Sequence, residues 1–407
     1  MWHGPCKWPA LVAVLCLAVP LAALAELGPT TPIAQSADER ELITRATEFE
    51  QELERRGLIL NEPLLKDYVA ATGNRVVAAG KVSLPLRFNV LRDPNSNAFA
   101  LPSGGIYVNL GLLARLENEA QLAHVLGHEA AHVAGHHAAR QQQSRRRKVI
   151  SAHLADLALM GTSVAYLPFI ASMAHYSREL EQEADSNGLD YLLAAGYDPE
   201  GSTQVFGVLR EIPVTESFLG SLYASHPDNA QREAAVRARL VGHDPVGNGR
   251  VGETEYLPIR LRALADSAEL KLLGGQYELA LRNATSLDKL APKQPMGRYL
   301  TGEARRQMAA QPELAAQEQA VLRQTKYSDK LVAEMRSQQQ SWLDAAQIAY
   351  GEALAIDSQF APAHRGLGLV AHARGEATSM REHLSRYLAL APQARDRRYV
   401  EYLMTAP

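Results

Sequence analysis

The sequence predicts an α+β domain, mostly helical with a small sheet, followed by an all-α domain built of repeats. Three observations support this prediction. Aromatic residues make up only 6% of the 407 residues, whereas the helix-forming residues Ala, Leu, Gln, Glu and Arg are abundant. Two short β-type runs lie near residue 100. In the last third of the chain a pattern recurs at an interval of 34 residues.

The composition narrows the function classes. The net charge is −3 and charged residues make up 21% of the chain, so the basic surface typical of a nucleic-acid-binding protein is not expected. A hydrophobic fraction of 46% allows a sizeable core, and 407 residues allow two or three domains. We therefore expect a folded protein that has no nucleic-acid partner.

The N-terminus has the pattern of a secretory signal peptide over residues 1–25. Lys7 precedes an apolar run, Ala10–Leu24, which is short for a membrane span and ends in a pattern of small residues. A retained N-terminal anchor is the alternative. Because Cys6 and Cys16 are the two cysteines of the sequence, cleavage would leave an exported chain without disulfides.

The first domain is expected to consist of helices around one short β-type segment. Apolar residues at helical spacing predict helices over Glu39–Arg56, Leu64–Ala79, Asn118–Arg140 and Arg178–Ala195. Strands are predicted at Leu86–Leu91 and Ile106–Val108, on either side of a turn-rich stretch. Asn118 is placed to cap the third helix.

A glycine-rich stretch without apolar periodicity, Gly242–Glu253, indicates a domain boundary. We assign residues 26–241 to the first domain, residues 242–256 to a linker and residues 257–407 to the second domain.

The second domain repeats itself. The segments Ala353–Ile356 and Tyr387–Leu390 resemble each other and lie 34 residues apart, and the segment from Gly275 to Pro292 reappears with the same internal spacing from Gly375 to Pro392. A helix–turn–helix period of 34 residues, with a turn glycine and a terminal proline, is typical of tetratricopeptide repeats. A generic array of helical hairpins is the alternative. Residues 311–340 fit the period poorly, which leaves the number of repeats open.

The segment HEAAH at His128–His132 points to metal chemistry. On a helix, residues four apart share a face, so both imidazoles can bind one metal ion. Glu129 is rotated by about 100° from that face and can act on a metal-bound water as a general base. Zinc suits neutral imidazole ligands, lowers the pKa of water and polarises a carbonyl group. The motif predicts a peptidase site with one Zn²⁺ per chain.

A catalytic zinc site needs a third protein ligand and leaves its fourth position to water. Glu181 and Asp185 share one face of the predicted acidic helix, so one can bind zinc while the other orients a ligand imidazole. A solvated acidic surface is the alternative. The neighbouring histidines, His124, His136 and His137, are interpreted as solvated or hydrogen-bonded helix residues.

Four motifs in order resemble the peptidase family of the CAAX prenyl protease and the heat-shock protease HtpX. They are the HEAAH segment, the acidic segment Ser177–Asp185, the strand–turn–strand segment Asn97–Val108 and the segment Ser225–Arg232. The resemblance covers about residues 42–240 and implies an α+β zincin-type metallopeptidase fold, in which Glu181 completes the zinc site. An exported catalytic domain followed by C-terminal repeats is similar to a periplasmic member of that family.

The resemblance also implies that the Phe99–Val108 region supplies an edge strand. An extended peptide from an unfolded protein could add to that strand through main-chain hydrogen bonds. An ordinary covered hairpin is the alternative.

His226 precedes Pro227, which favours an extended backbone and holds the imidazole at a fixed loop position. We expect neutral His226 to fill the fourth zinc position as an inhibitory latch. In the competing interpretation, protonated His226 stabilises developing negative charge, a role that Arg232 could share. A turn unrelated to zinc is the third interpretation.

The basic run Gln141–Lys148 adjoins an apolar stretch, Val149–Met173. A lid over the site, a membrane-surface element and a true span are the three interpretations. We favour a lid that also touches lipid headgroups, because Asp156 and Pro168 argue against a span.

Two functions compete. The first is an exported zinc endopeptidase for unfolded or misassembled proteins in outer-membrane quality control, whose repeats dock on the assembly machinery and which also has a chaperone role. The second is a non-enzymatic periplasmic chaperone or adaptor with a structural zinc. Structural zinc sites close all four positions with protein ligands, commonly cysteine thiolates. No cysteine is expected in the exported chain, which argues against a structural site. Glu129 also favours the enzyme.

Overall fold

A computed structural model describes residues 36–147, 176–210, 229–241 and 249–405. The predicted signal peptide (residues 1–25), His226 and the apolar stretch 149–173 lie outside the described residues, and their roles stay predictions. From Ser36 onward the described chain forms one compact unit. Within those ranges, no helix has the length and apolar character that crossing a bilayer requires.

The described chain begins with two helices, α1 (Ala37–Arg55) and α2 (Pro63–Ala79), close to their predicted bounds. The Ser36 hydroxyl caps α1 by accepting a hydrogen bond from the Glu39 backbone N–H at 3.2 Å. The apolar residues of α1 that recur at helical spacing are buried, namely Leu42, Ala46, Phe49 and Leu53. They form a small core together with Leu101 and Tyr107 of the β segment.

The sheet has three strands, β1 (Arg87–Leu91), β2 (Ala98–Ala100) and β3 (Gly105–Asn109). β3 lies in the middle, parallel to β1 and antiparallel to β2. The two predicted strands are therefore confirmed, whereas β2 is too short to show an alternating pattern. The edge strand expected within the Phe99–Val108 region is β2 alone, because β3 is central and no described strand pairs with the outer side of β2.

The helix that carries the HEAAH motif is shorter than predicted. After α3 (Leu110–Arg115), the chain forms α4 (Glu119–Ala134) and α5 (His137–Arg147). The single helix predicted over Asn118–Arg140 is wrong, because Gly135 and His136 interrupt it and His136 has a φ of 51°. The predicted start is confirmed, since the Asn118 side chain accepts a hydrogen bond from the Gln121 backbone N–H at 2.9 Å.

Three further helices, α6 (Arg178–Ala194), α7 (Glu200–Arg210) and α8 (Asn229–Leu240), complete the first half of the fold. α6 packs directly against α4, and the two helices meet at Gly127 and Gly188. A Cβ atom on Gly188 would lie 2.8 Å from the backbone nitrogen of His128 and 3.1 Å from the carbonyl carbon of Gly127. Only glycine at position 188 permits this approach, which brings the acidic face of α6 up to the motif.

A buried carboxylate joins several of these elements. Glu119, in the first turn of α4, accepts hydrogen bonds from Arg250 at 2.8 and 3.0 Å and from Tyr68 at 2.6 Å. Arg75 and Tyr197 also donate to it. Burial raises the pKa of Glu119, but the hydrogen bonds from Arg250 and the tyrosines outweigh it and lower the pKa. Because a buried carboxylate must be paired, this network ties α2 and α4 to the chain near residue 250.

The remainder of the described chain is all-helical, as predicted. It contains α9 (Glu253–Leu273), α10 (Tyr277–Leu290), α11 (Met296–Ala310), α12 (Pro312–Leu322), α13 (Asp329–Ser337), α14 (Gln339–Ile356), α15 (Ala361–Ala373), α16 (Ala377–Leu390) and α17 (Arg397–Thr405). The turns after α9 and α15 contain Gly275 and Gly375, with φ values of 72° and 74°. The assignment of tetratricopeptide repeats stays a prediction.

The stretch that breaks the period, residues 311–340, contains the helices α12 and α13. α11 packs most extensively against α14, so α12 and α13 are inserted in the chain between two partner helices. At the contact between α11 and α14, the carboxylate of Glu303 accepts hydrogen bonds from Arg306 at 2.7 Å and Tyr350 at 2.6 Å. Burial raises the pKa of Glu303, but Arg306 and Tyr350 outweigh it and lower the pKa to about 2.

α9 packs against α3 of the first half. Tyr256 of α9 is fully buried, and its hydroxyl donates a hydrogen bond to the Leu113 carbonyl at 2.9 Å. One apolar core extends from Leu60 to Trp342 across this contact. The domain bounds at residues 242–256 stay a prediction.

Candidate metal centre

α4 presents both histidines of the motif on one face. The Nε2 atoms of His128 and His132 lie 3.0 Å apart, and both rings are buried. Glu129 follows His128 on the helix and is only 1% exposed. The predicted pair of imidazoles is therefore assembled, with an acidic side chain beside it in the protein interior.

α6 brings Glu181 to the histidine pair. One carboxylate oxygen lies 3.6 Å from His128 Nε2, and the other lies 3.6 Å from His132 Nε2. Zinc binds imidazole nitrogen at about 2.0–2.1 Å with tetrahedral geometry, so two of its ligand atoms are about 3.3 Å apart. The two ring nitrogens and the carboxylate of Glu181 therefore fit a single zinc ion, and all three residues are buried.

The charges around this cluster also fit a dication. Glu129, Glu181 and Asp185 are three buried carboxylates, and Arg232 is the buried cation beside them. Acids thus outnumber bases among these four buried residues, and a divalent metal ion would balance those carboxylates that are ionised.

Asp185 supports the first histidine from behind. Its Oδ1 lies 3.0 Å from His128 Nδ1, and Arg232 donates to both carboxylate oxygens at 2.7 Å. Burial raises the pKa of Asp185, but the hydrogen bonds from Arg232 and His128 outweigh it and hold the pKa well below its usual range. An ionised Asp185 accepts the Nδ1 proton of His128, which leaves Nε2 free of a proton for a metal.

Arg232 lies on α8 and is 6% exposed. Besides Asp185, its guanidinium contacts Glu181, with an N–O distance of 3.1 Å. In this position Arg232 holds the two carboxylates of α6. Stabilisation of developing charge by Arg232 stays a prediction.

The neighbouring histidines are less solvated than the sequence predicts. His124 is 3% exposed, and burial lowers its pKa to about 3. His136 is partly buried and pairs with Glu39 of α1. His137 is fully buried, and its Nδ1 lies 2.8 Å from His132 Nδ1. Of the two predicted interpretations, the hydrogen-bonded one fits His136 and His137, whereas burial excludes the solvated one for His124 and His137.

Sequence reasoning missed Tyr176. Its ring stacks on His132 at a centroid distance of 4.1 Å and an angle of 18°. Tyr176 precedes Ser177, whose hydroxyl caps α6 by accepting from the Leu180 backbone N–H at 3.4 Å. The cap was readable in the sequence, but a single tyrosine before a cap has no pattern that indicates a metal site.

A small cavity of about 20 Å³ lies between the end of β2 and the donor cluster. Its walls include Ala100 and Pro102 on the strand side, and His132, His136 and Tyr176 on the helix side. The cavity thus connects the open edge of the sheet to a predicted zinc ligand.

Metallopeptidase sites of the H-E-x-x-H class have this arrangement, with two imidazoles from one helix, a carboxylate from a second helix and a glutamate beside the first imidazole. A comparison with known proteins points to the same class. Residues 63–240 match the model of peptidase family M48. The match confirms the family resemblance inferred from the four motifs, and together with the names of the relatives it supports a zinc metalloendopeptidase.

Several curated relatives are similar to part of this chain. The putative β-barrel assembly-enhancing protease of Vibrio cholerae is 32% identical over 201 residues, which cover 46% of this chain and 42% of that protein. The β-barrel assembly-enhancing protease of Escherichia coli K12 is 28% identical over 194 residues, covering 44% and 40%. The mitochondrial metalloendopeptidase OMA1 of Schizosaccharomyces pombe is 32% identical over 171 residues, covering 40% and 50%. The matched region thus spans half or less of each relative.

Proposed function

We propose that this chain is a zinc-dependent endopeptidase that cleaves unfolded or misassembled proteins. The observation that carries the proposal is the donor set of His128, His132 and Glu181, whose distances match one zinc ion. Relatives named β-barrel assembly-enhancing proteases support a role in the assembly of outer-membrane proteins.

Each buried side chain has a distinct task in this proposal. Zinc, when bound, would lower the pKa of water and polarise the peptide carbonyl. His128, His132 and Glu181 hold the ion, and Asp185 keeps His128 in the tautomer that binds through Nε2. Glu129 takes a proton from the attacking water and passes it to the leaving amine.

Substrate binding is assigned to β2. The outer side of this strand is unpaired among the described strands, and the adjoining cavity extends from Ala100 to His132. An extended segment that pairs with β2 would be held by main-chain hydrogen bonds, which tolerate many sequences. This mode suits unfolded substrates.

We further propose that the protein works in the periplasm and that its C-terminal helices, as tetratricopeptide repeats, dock on the outer-membrane assembly machinery. The helical hairpins with glycine turns at Gly275 and Gly375 support a docking role, because stacked hairpins present an extended binding surface. A chaperone role that needs no hydrolysis would use the same helices. Removal of α15–α17 should weaken recovery of assembly proteins in pull-downs, and unchanged recovery would contradict the docking role.

His226 is proposed as an inhibitory latch at the fourth zinc position. His226→Ala should then raise basal cleavage of an unfolded substrate while zinc content stays the same. Reduced turnover at full zinc content would instead support stabilisation of developing charge by His226.

The central test separates metal binding from proton transfer. Glu129→Gln should keep zinc, measured by metal analysis, but lose about two to four decades of casein hydrolysis. His132→Ala should lose zinc as well, and chelation of the parent protein should abolish hydrolysis reversibly. Hydrolysis by Glu129→Gln at the parental rate would refute the mechanism. Full hydrolysis after complete removal of the metal would show that catalysis does not need zinc, and would favour a structural role for the ion.

A further inference from the structure

We propose that His137 is a positioning residue for the zinc ligand His132, and that Glu183 and Arg140 hold His137 in place. The inference rests on the zinc site of the proposed function. It assigns a role to three residues for which the sequence predicts no part in the site.

The ring nitrogens of His132 show why a partner is needed. Its Nε2 faces His128 and Glu181, so a metal is bound through Nε2 and neutral His132 carries its proton on Nδ1. The Nδ1 of His137 lies 2.8 Å from this Nδ1. His137 is therefore placed to accept the proton, as a carboxylate or carbonyl oxygen does in other metal sites.

The same geometry excludes His137 as a zinc ligand. Nδ1 and Nε2 lie on opposite sides of an imidazole ring, and His137 meets His132 on the Nδ1 side. The donor cluster lies on the Nε2 side. His137 thus acts on the metal through His132.

The backbone between the two histidines is shaped for this contact. A Cβ atom on Gly135 would lie 2.3 Å from Nε2 of His137, so a glycine is required where the ring folds back over the end of α4. His136 adopts a φ of 51°, a conformation that costs a non-glycine residue about 1 kcal/mol or more. These two features end α4 and turn the chain, so that His137 packs against His132. In a continuous helix, a residue five positions later would not face that ring.

Glu183 and Arg140 complete the arrangement. When Nδ1 of neutral His137 accepts, its proton is on Nε2, which lies 3.5 Å from a carboxylate oxygen of Glu183, a contact too long and bent to count as a hydrogen bond. Glu183 in turn receives two hydrogen bonds from Arg140, both at 2.9 Å. This ion pair is more than one-third exposed and contributes little stability, but its two-point geometry fixes the carboxylate between α5 and α6.

The two zinc-binding histidines are consequently supported in different ways. His128 donates to Asp185, a buried carboxylate, whereas His132 donates to the neutral ring of His137. Each support comes from a different element, α6 for His128 and α5 for His132. Displacement of α5 should therefore act on one ligand of the metal and leave the other in place.

The test measures zinc affinity by competition with a chromogenic chelator, on the full chain. His137→Leu fills the space but cannot accept a hydrogen bond, and it should weaken zinc binding by about 10- to 100-fold. His137→Asn places a carbonyl oxygen near the position of Nδ1 and should recover most of that loss. His136→Asn is the matched control, because asparagine tolerates positive φ and the change leaves the contact between His132 and His137 intact.

Parental zinc affinity in His137→Leu would overturn the inference, as would equal losses in the Leu and Asn variants. If the Leu variant does not fold, as judged by circular dichroism, the comparison of His137→Asn with His137→Ser decides, because serine is too short to reach His132. A parent protein that binds zinc without hydrolysing any protein would refute the proposed function and leave this inference standing. If the parent protein hydrolyses protein and His137→Leu binds zinc as tightly as the parent, the inference is refuted and the proposed function stands.

Discussion

Gly188→Ala tests whether the contact between α4 and α6 sets the geometry of the metal centre. The added Cβ would lie 2.8 Å from the backbone nitrogen and 3.0 Å from the Cα of His128. Both neighbours belong to the helix backbone and cannot rotate away, and carbon contacts are favourable only at about 3.5–4.0 Å. α6 must therefore move outwards by roughly 0.5–1 Å. Glu181 and Asp185 move with it, away from the histidines.

The magnitudes show which assay is informative. Overpacking costs about 1–3 kcal/mol, while replacement of a helical glycine by alanine gains about 1 kcal/mol. The free energy of unfolding should thus fall by only about 0–2 kcal/mol. Zinc affinity is more sensitive, because displaced ligands and supporting groups typically cost about 10- to 100-fold.

We therefore expect Gly188→Ala to remain folded, to bind zinc at least about tenfold more weakly and to lose hydrolysis in proportion. Chelator competition measures the first effect and casein hydrolysis the second. Gly351→Ala is the control, because this helical glycine of α14 has no atom within 4 Å of an added Cβ. It should raise the unfolding free energy by up to about 1 kcal/mol and leave zinc affinity unchanged. A parental zinc dissociation constant in Gly188→Ala would refute the reasoning.

Two further predictions concern stability away from the metal. Glu119→Ala removes the acceptor shared by the buried Tyr197 and by the more exposed Arg75 and Arg250, and it should lower the free energy of unfolding in urea by about 1–3 kcal/mol. The control Glu255→Ala, which removes a 54% exposed partner of Arg250, should change it by less than about 1 kcal/mol, and equal losses would contradict the network. The second prediction is a pH dependence: because the folded pKa of Glu303 is lowered to about 2, its stabilising contribution is complete above about pH 4.5 and is lost as the pH falls towards 2. Glu303→Gln should lack this part of the acid sensitivity, about 3 kcal/mol between pH 7 and pH 2, and an unchanged pH profile of unfolding would count against it.

Sequence reasoning succeeded where a regular period reports on local structure. Apolar residues at helical spacing predicted α1 and α2 within about two residues, and the HEAAH motif predicted the imidazole pair because four-residue spacing alone places both rings on one face. Glu181 and Asp185 followed from the same rule. Their distances to the histidines could not be predicted, since these depend on the crossing of two helices at Gly188.

It failed where a contact depends on the tertiary path of the chain. The apolar periodicity predicted that the helix with the HEAAH motif extends to Arg140, whereas α4 ends at Ala134, before Gly135 and His136. Once the helix is broken, His137 turns inward, and a residue interpreted as ordinary becomes a neighbour of a zinc ligand. A glycine five residues before Arg140 was a usable signal for this break, and the crowding of histidines concealed its importance.

The burial of Tyr256 against Leu113 determines where this protein can be cut. A fragment that ends before Glu253 would lose the side chain that covers α3, and with it a fully buried ring whose loss costs about 3–5 kcal/mol in a typical core. Such a fragment would expose apolar surface and aggregate. Its inactivity would then be mistaken for a need for a docking partner. The same core continues from α9 through α10 and α11, so a cut after either of the first two helices would also expose buried apolar residues.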